Sequence, residues 1–215
     1  MRVSTKFNML SAIAGITIFL HSPLYAADTV RNYKYSLSDG IDICFKKVKE
    51  KLGGETKVST LSTFFSSGGE IKSRNEPKGA MTTCSVSYLN PENANRLLSM
   101  RMDTRTGEFQ SPRQVEIRVS GDSAKFNLNN YLIPLDKIDM SSLPAFMASQ
   151  EKKLSERYST FAWTGVRLTS PGTFSNKHQL RVDVGGRLAV NDILDTGYAE
   201  LSVDGKTVNK NRLVK

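Results

Sequence analysis

Few side chains in this sequence are equipped for chemistry, and the two cysteines give the firmest reading. Cys44 and Cys84 are too few for a zinc finger or a dense disulfide framework. A reactive thiol would want a CxxC partner or a nearby histidine to hold it as thiolate, and the sequence offers neither. Cys44 falls instead in an apolar stripe at helical spacing, with Leu37, Ile41, Phe45, Val48 and Leu52. Cys84 alternates with Val86 and Tyr88 on the apolar face of a strand. Both therefore point into the layer between helix and sheet. In an exported chain, that placement predicts a structural Cys44–Cys84 disulfide.

His178 is the one histidine outside the N-terminal segment, flanked by Lys177 and Gln179 at the start of a predicted strand. A metalloprotease HExxH motif needs two histidines, and a Ser/His/Asp triad has no G-x-S-x-G elbow to place its nucleophile. His178 therefore reads as an exposed residue at a strand edge. Asp192 and Asp195, and Glu151 and Glu156, are close in sequence, but glycosidase chemistry needs carboxylates placed across a cleft. Asp192-Ile193-Leu194-Asp195 supplies too few oxygens for an EF-hand loop. There is no GxGxxG or GxxxxGK[ST], and Gly68-Gly69 and Gly185-Gly186 read as turns. No catalytic, cofactor-binding or metal-ligating residue is assigned, and no cofactor is expected.

The basic residues carry more. Arg96, Arg101, Arg105, Arg113 and Arg118 crowd one strand–turn–strand, and Arg101 and Arg118 fall on the polar sides of their alternating patterns. Arg101, Arg105 and Arg118 are the candidate partner-binding residues, because a guanidinium forks onto carboxylates. An acidic protein partner fits. Nucleic acid does not, given the export signal described next and the lack of an RNA-binding motif of aromatic and basic residues.

The wider chain sets the context. Its 215 residues carry a net charge of +9, with 39% hydrophobic and 24% charged residues, which is too apolar for a disordered chain and too polar for a multi-span membrane protein. Arg2 and Lys6 precede an apolar run from Met9 to Leu20, then His21-Ser22-Pro23 and Leu24-Tyr25-Ala26-Ala27. That is the order of a secretory signal peptide over residues 1–26, cleaved after Ala26. The run is shorter than the roughly 20 apolar residues of a membrane span, and no later segment is longer. The product is expected in the periplasm or outside the cell, with no transmembrane segment after cleavage.

The elements follow from periodicity. Residues 36–52 form a helix opened by a Ser36/Asp39 capping box and closed by Gly53-Gly54. Alternating strands follow at 58–65, 80–89, 98–102, 115–119 and 124–128, with a long water-exposed loop from Ser66 to Gly79. A second helix spans 142–158. Strands return at 161–168, 179–184, 187–190 and 198–203, and a last one at 206–208 across an Asp204-Gly205 type I′ turn. The basic tail is expected to fray. The fold class is α+β: antiparallel sheet with two packed helices and one helix-to-sheet disulfide. Residues 27–135 make a helix-then-strands unit, and 136–215 a second helix with strands, either separate or continuous with the first.

Three functions fit an exported basic chain without a catalytic motif. The reading taken is a non-enzymatic protein-binding protein of the inhibitor or toxin-immunity type. The alternatives are a secreted hydrolase without a recognisable motif, and a structural part of a surface appendage or secretion assembly.

Overall fold

The computed structural model describes residues 32–72, 76–119, 122–172 and 175–214, and the expected signal peptide lies outside them. The Ser36 backbone N–H donates to the Asp39 carboxylate as the capping pattern requires, but only a 3-10 turn, Leu37–Asp39, follows it. Gly40, at φ +109°, breaks the chain there, and α1 runs Ile43–Leu52. The helix expected over 36–52 is thus two pieces. A positive φ at Gly40 ends the first turn before it can propagate.

From α1 the chain enters β1 (Lys57–Phe65), β2 (Met81–Asn90), β3 (Asn93–Arg101), the short β4 (Arg113–Val115) and the two-residue β5 (Ile133–Pro134). Then come α2 (Leu143–Arg157), β6 (Tyr158–Thr169), β7 (Gln179–Leu188), β8 (Leu194–Leu201) and β9 (Val208–Arg212). All nine strands share one antiparallel sheet in the order β4-β3-β2-β1-β6-β7-β8-β9, with β5 against the start of β1. The order of elements repeats. Each helix leads into strands that meander outward, and the two meanders meet where Leu61–Phe64 of β1 pairs with Gly165–Leu168 of β6.

Strand alternation separates the two faces residue by residue. Met100, Val86, Leu61, Leu168, Leu180 and Leu201 lie opposite one another across six strands, each at most 3% exposed. A second such row, Cys84, Thr63, Val166, Val182 and Ala199, is completely buried. These rows join Cys44, Phe45 and Val48 of α1 and Leu143 and Leu154 of α2 in one continuous core. The disulfide Cys44–Cys84 ties α1 to β2 within it.

Several local expectations give way. The strand expected at 115–119 shortens to β4, because its segment has only β3 beside it and the ladder stops after Val115. Residues 124–128 form no strand. The Asp122 and Asn127 side chains accept from the N–H groups of Ala124 and Asn129 and wind the segment into 3-10 turns, Ser123–Lys125 and Leu128–Tyr131. Side-chain capping competes with the ladder and wins. Gly185-Gly186 is not a turn but lies inside β7, merging two expected strands. A Cβ at Gly186 would sit 2.7 Å from both the Thr160 carbonyl and the Tyr158 ring, so glycine serves close packing there. The β8–β9 link is not type I′, since of Asp204 and Gly205 only Gly205 has a positive φ, +66°. Through Val214 the basic tail does not fray. It pairs as β9, and Leu213, 1% exposed, plugs the core.

Candidate functional site

The face of the sheet turned away from the core is polar and carries its own cross-strand rows. Lys210, Glu200, Arg181, Arg167, Ser62, Ser85 and Arg101 stand directly opposite one another from β9 to β3. Two residues along each strand lies the next row, Arg212, Tyr198, Asp183, Gly165, Phe64 and Thr83. The small serines in the first row leave its long guanidinium side chains as the relief of the surface.

At the centre these side chains brace each other over a cavity of about 380 Å³. Asp183 receives Arg167 Nη2 at 3.0 Å and Arg181 Nε at 2.9 Å. The Arg181 guanidinium lies 3.7 Å from the centre of the Tyr198 ring and 4.0 Å from Glu200. Cation–π stacking and a shared carboxylate fix it in place. Gly165 lets the Phe64 ring lie against the β6 backbone, because a Cβ there would stand 2.6 Å from the Thr63 carbonyl and 2.7 Å from that ring. Two guanidiniums facing two carboxylates make this centre neutral in sum.

Toward β3 a second cleft opens, sharing Glu76 and Thr82 with the first. Arg101 and Arg105 both line it, with Tyr33, Thr83 and Thr104. Arg101 Nη2 donates to the Thr82 carbonyl at 3.4 Å and Thr83 Oγ1 at 3.3 Å. Arg105 projects from the turn that Asp103 builds by accepting the N–H groups of Arg105 and Thr106, bonds that hold the Asp103 carboxyl below the usual carboxylate range. Arg118 does not line this cleft. It stands in coil beyond β4, 85% exposed, and pairs with Glu116 at 3.1 Å.

The wall between cleft and solvent is the segment after β1, which departs from the expected water-exposed loop. Ser66 and Ser67 are buried, and Ile71 is wholly buried. Ser66 Oγ accepts the Gly68 N–H and donates to the Glu76 carbonyl, folding the segment back on itself. Lys72 and Glu76 then face the central cavity.

His178 sits apart, half-buried in another cleft with Asn130, Asn176 and Asn209. Burial pushes its imidazole below the ordinary value, and its Nε2 is enclosed with no hydrogen-bond partner. It is therefore less exposed than a strand-edge position suggests. Asp195 does not pair with Asp192 but binds Arg157 at 2.8 Å and the Tyr158 hydroxyl at 3.2 Å. Among the described residues, no group of three or more His, Cys, Asp and Glu is placed to hold a metal.

Arg167, Arg181, Asp183 and Tyr198 were not singled out from sequence. The signal was present in the alternation: Arg167 falls between Val166 and Leu168, and Arg181 and Asp183 flank Val182. Only the register shows that they meet. No family model matches this chain, and neither a curated protein nor a solved structure does. The functional reading therefore stands on the geometry of the open face.

Proposed function

We propose that this is an exported, non-enzymatic protein-binding protein of the periplasm, which engages an acidic partner with the helix-free face of its sheet. One observation carries the reading: a single register line places Arg101, Arg167, Arg181 and Lys210 on that face, with Ser62 and Ser85 between Arg101 and Arg167, Glu200 as its one acid, and Tyr198 and Phe64 in the adjoining row. Arginine and tyrosine are the residues enriched where protein interfaces concentrate their energy. The central guanidiniums are held by Asp183 and Tyr198 before any partner arrives, so little side-chain entropy is lost on docking. The signal sequence supports the location, and the basic charge supports steering toward an acidic surface.

The test places a photo-crosslinking residue at Ser85, in the middle of the face, and another at Lys152 on the exposed side of α2. A partner crosslinked from Ser85 and not from Lys152 is expected. Reversing Arg101, Arg105 and Arg118 to Glu should weaken its capture, and capture should fall as salt rises. Crosslinking from Lys152 alone, or undiminished capture by the reversed variant, overturns the reading. Turnover of a defined substrate by the purified protein would favour a hydrolase instead.

A further inference from the structure

The cleft at the β3 end of the open face holds charges that its own residues leave unmatched, and we infer that it is a carboxylate-binding subsite formed by Arg101 and Arg105 with the hydroxyls of Thr83, Thr104 and Tyr33. Among the described residues Arg101 has no carboxylate at salt-bridge distance; its guanidinium touches only Thr82 and Thr83, through one nitrogen at long range. Arg105 has Asp103 nearby, but at 3.9 Å, with Asp103 Oδ1 already accepting two backbone N–H groups. Most guanidinium donors of the pair are thus free to fork onto an incoming oxyanion. The hydroxyls of Thr83, Thr104 and Tyr33 add donors around the same space, while that of Thr82 already donates to the Phe64 carbonyl.

Glu76 selects among oxyanions. Among the described residues it is the one acid lining the cleft. Arg101 and Arg105 with Glu76 leave one net positive charge in the cleft, which a monoanionic carboxylate neutralises, whereas a dianionic phosphate brings a second charge whose desolvation nothing there offsets. The cleft therefore takes a carboxylate in preference to a phosphate. Two sources share that chemistry in a polypeptide, an acidic side chain and a chain terminus. The bearer of the carboxylate rests on the protein-binding reading above, but small probes need no partner, so the subsite and the interface fail separately.

The test follows the Arg101 and Arg105 Nε–H resonances of the purified protein at constant ionic strength. The probes are N-acetylglycine, a Glu side chain in a capped Gly-Glu-Gly peptide, and inorganic phosphate. Saturable shifts with either carboxylate support the subsite, and whichever binds tighter names the source. Phosphate should bind more weakly in the wild type and gain most in Glu76→Gln. Arg101→Gln should weaken carboxylate binding about tenfold, one charge-assisted interaction's worth, with the melting temperature unmoved. Linear, non-saturating shifts with every probe, or tighter phosphate than carboxylate binding in the wild type, overturn the inference.

Discussion

Arg167 and Arg181 stand directly opposite each other on neighbouring strands, and one carboxylate, Asp183, holds both. Like charges facing across a ladder repel, so Asp183 stabilises the pairing of β6 and β7 as much as it organises the surface. Asp183→Asn keeps the shape and removes the charge. We expect a loss of about 2 kcal/mol in urea unfolding, below the range for a fully buried ion pair because the guanidiniums are 34% and 28% exposed. Part of the loss should return in about 1 M salt, which screens the remaining repulsion. An unchanged midpoint would show that the bridge contributes nothing to stability.

The Cys44–Cys84 bond closes a sequence separation of 40 residues between two fully buried sulfurs. The chain-entropy relation gives about 4 kcal/mol of stabilisation for a loop of that size. The double variant Cys44→Ala, Cys84→Ala should lower the urea midpoint accordingly and leave the near-ultraviolet spectrum native-like. Because neither sulfur reaches solvent, alkylation after mild reduction should be slow below the unfolding transition and fast above it. Rapid labelling of the native protein would contradict the burial.

Ile71 is wholly buried, beside the main core cluster, so residues 66–72 are packed against the fold and are not a free strap. Truncating Ile71 to Ala should cost roughly 2–4 kcal/mol, the ordinary price of a buried aliphatic side chain replaced by a cavity. Removing the surface residue Lys72 by the same route should cost under about 0.5 kcal/mol. Equal effects from the two would return the segment to a solvent-exposed loop.

Acid should unfold the protein in two descents. Burial lowers the His178 pKa, so below about 6.5 the unfolded chain takes up a proton that the folded state resists, and stability falls with pH until the lower folded value is passed. The Asp195 pKa is lowered chiefly by the Arg157 hydrogen bond, so its contribution is complete above about 3.9 and is lost as pH falls through the folded value. His178→Gln should flatten the upper descent and Asp195→Asn should reduce the lower one. Some of the lower descent should survive, because Asp103, Asp139 and Asp204 are also held low by hydrogen bonds. Urea midpoints measured across the pH range check both windows, and a single undivided descent in the wild type would refute the assignment.

Alternation made most of the sheet legible beforehand. Val58 to Phe65, Ala80 to Leu89 and Gln179 to Val184 declare their faces in the order of their residues, and Cys44 and Cys84 declare their pairing through those faces. The failures came where a local interaction outweighed the pattern: the Asp122 and Asn127 caps, and a glycine at 186 placed for the Tyr158 ring instead of for a turn. The site was legible only in part. Arg101 and Arg105 show as a basic cluster, but Arg118 was tied to them by a strand that stops at Val115. Arg167 and Arg181 are 14 residues apart on the chain and face each other only once the register is set.

The meeting of β1 with β6 also has a bearing on how the chain reaches this state. Apart from the ladders to β5 and β6, every pairing joins strands that follow each other in sequence, so each meander has low contact order and can zip from its own turns. Leu61 and Leu168 must instead find each other across a wide loop, an entropic cost that precedes the contacts which offset it. Closing that ladder is then the slow, late event of folding. Until it closes, β1 and β6 are both open strand edges, and the nascent protein passes through its most association-prone moment there.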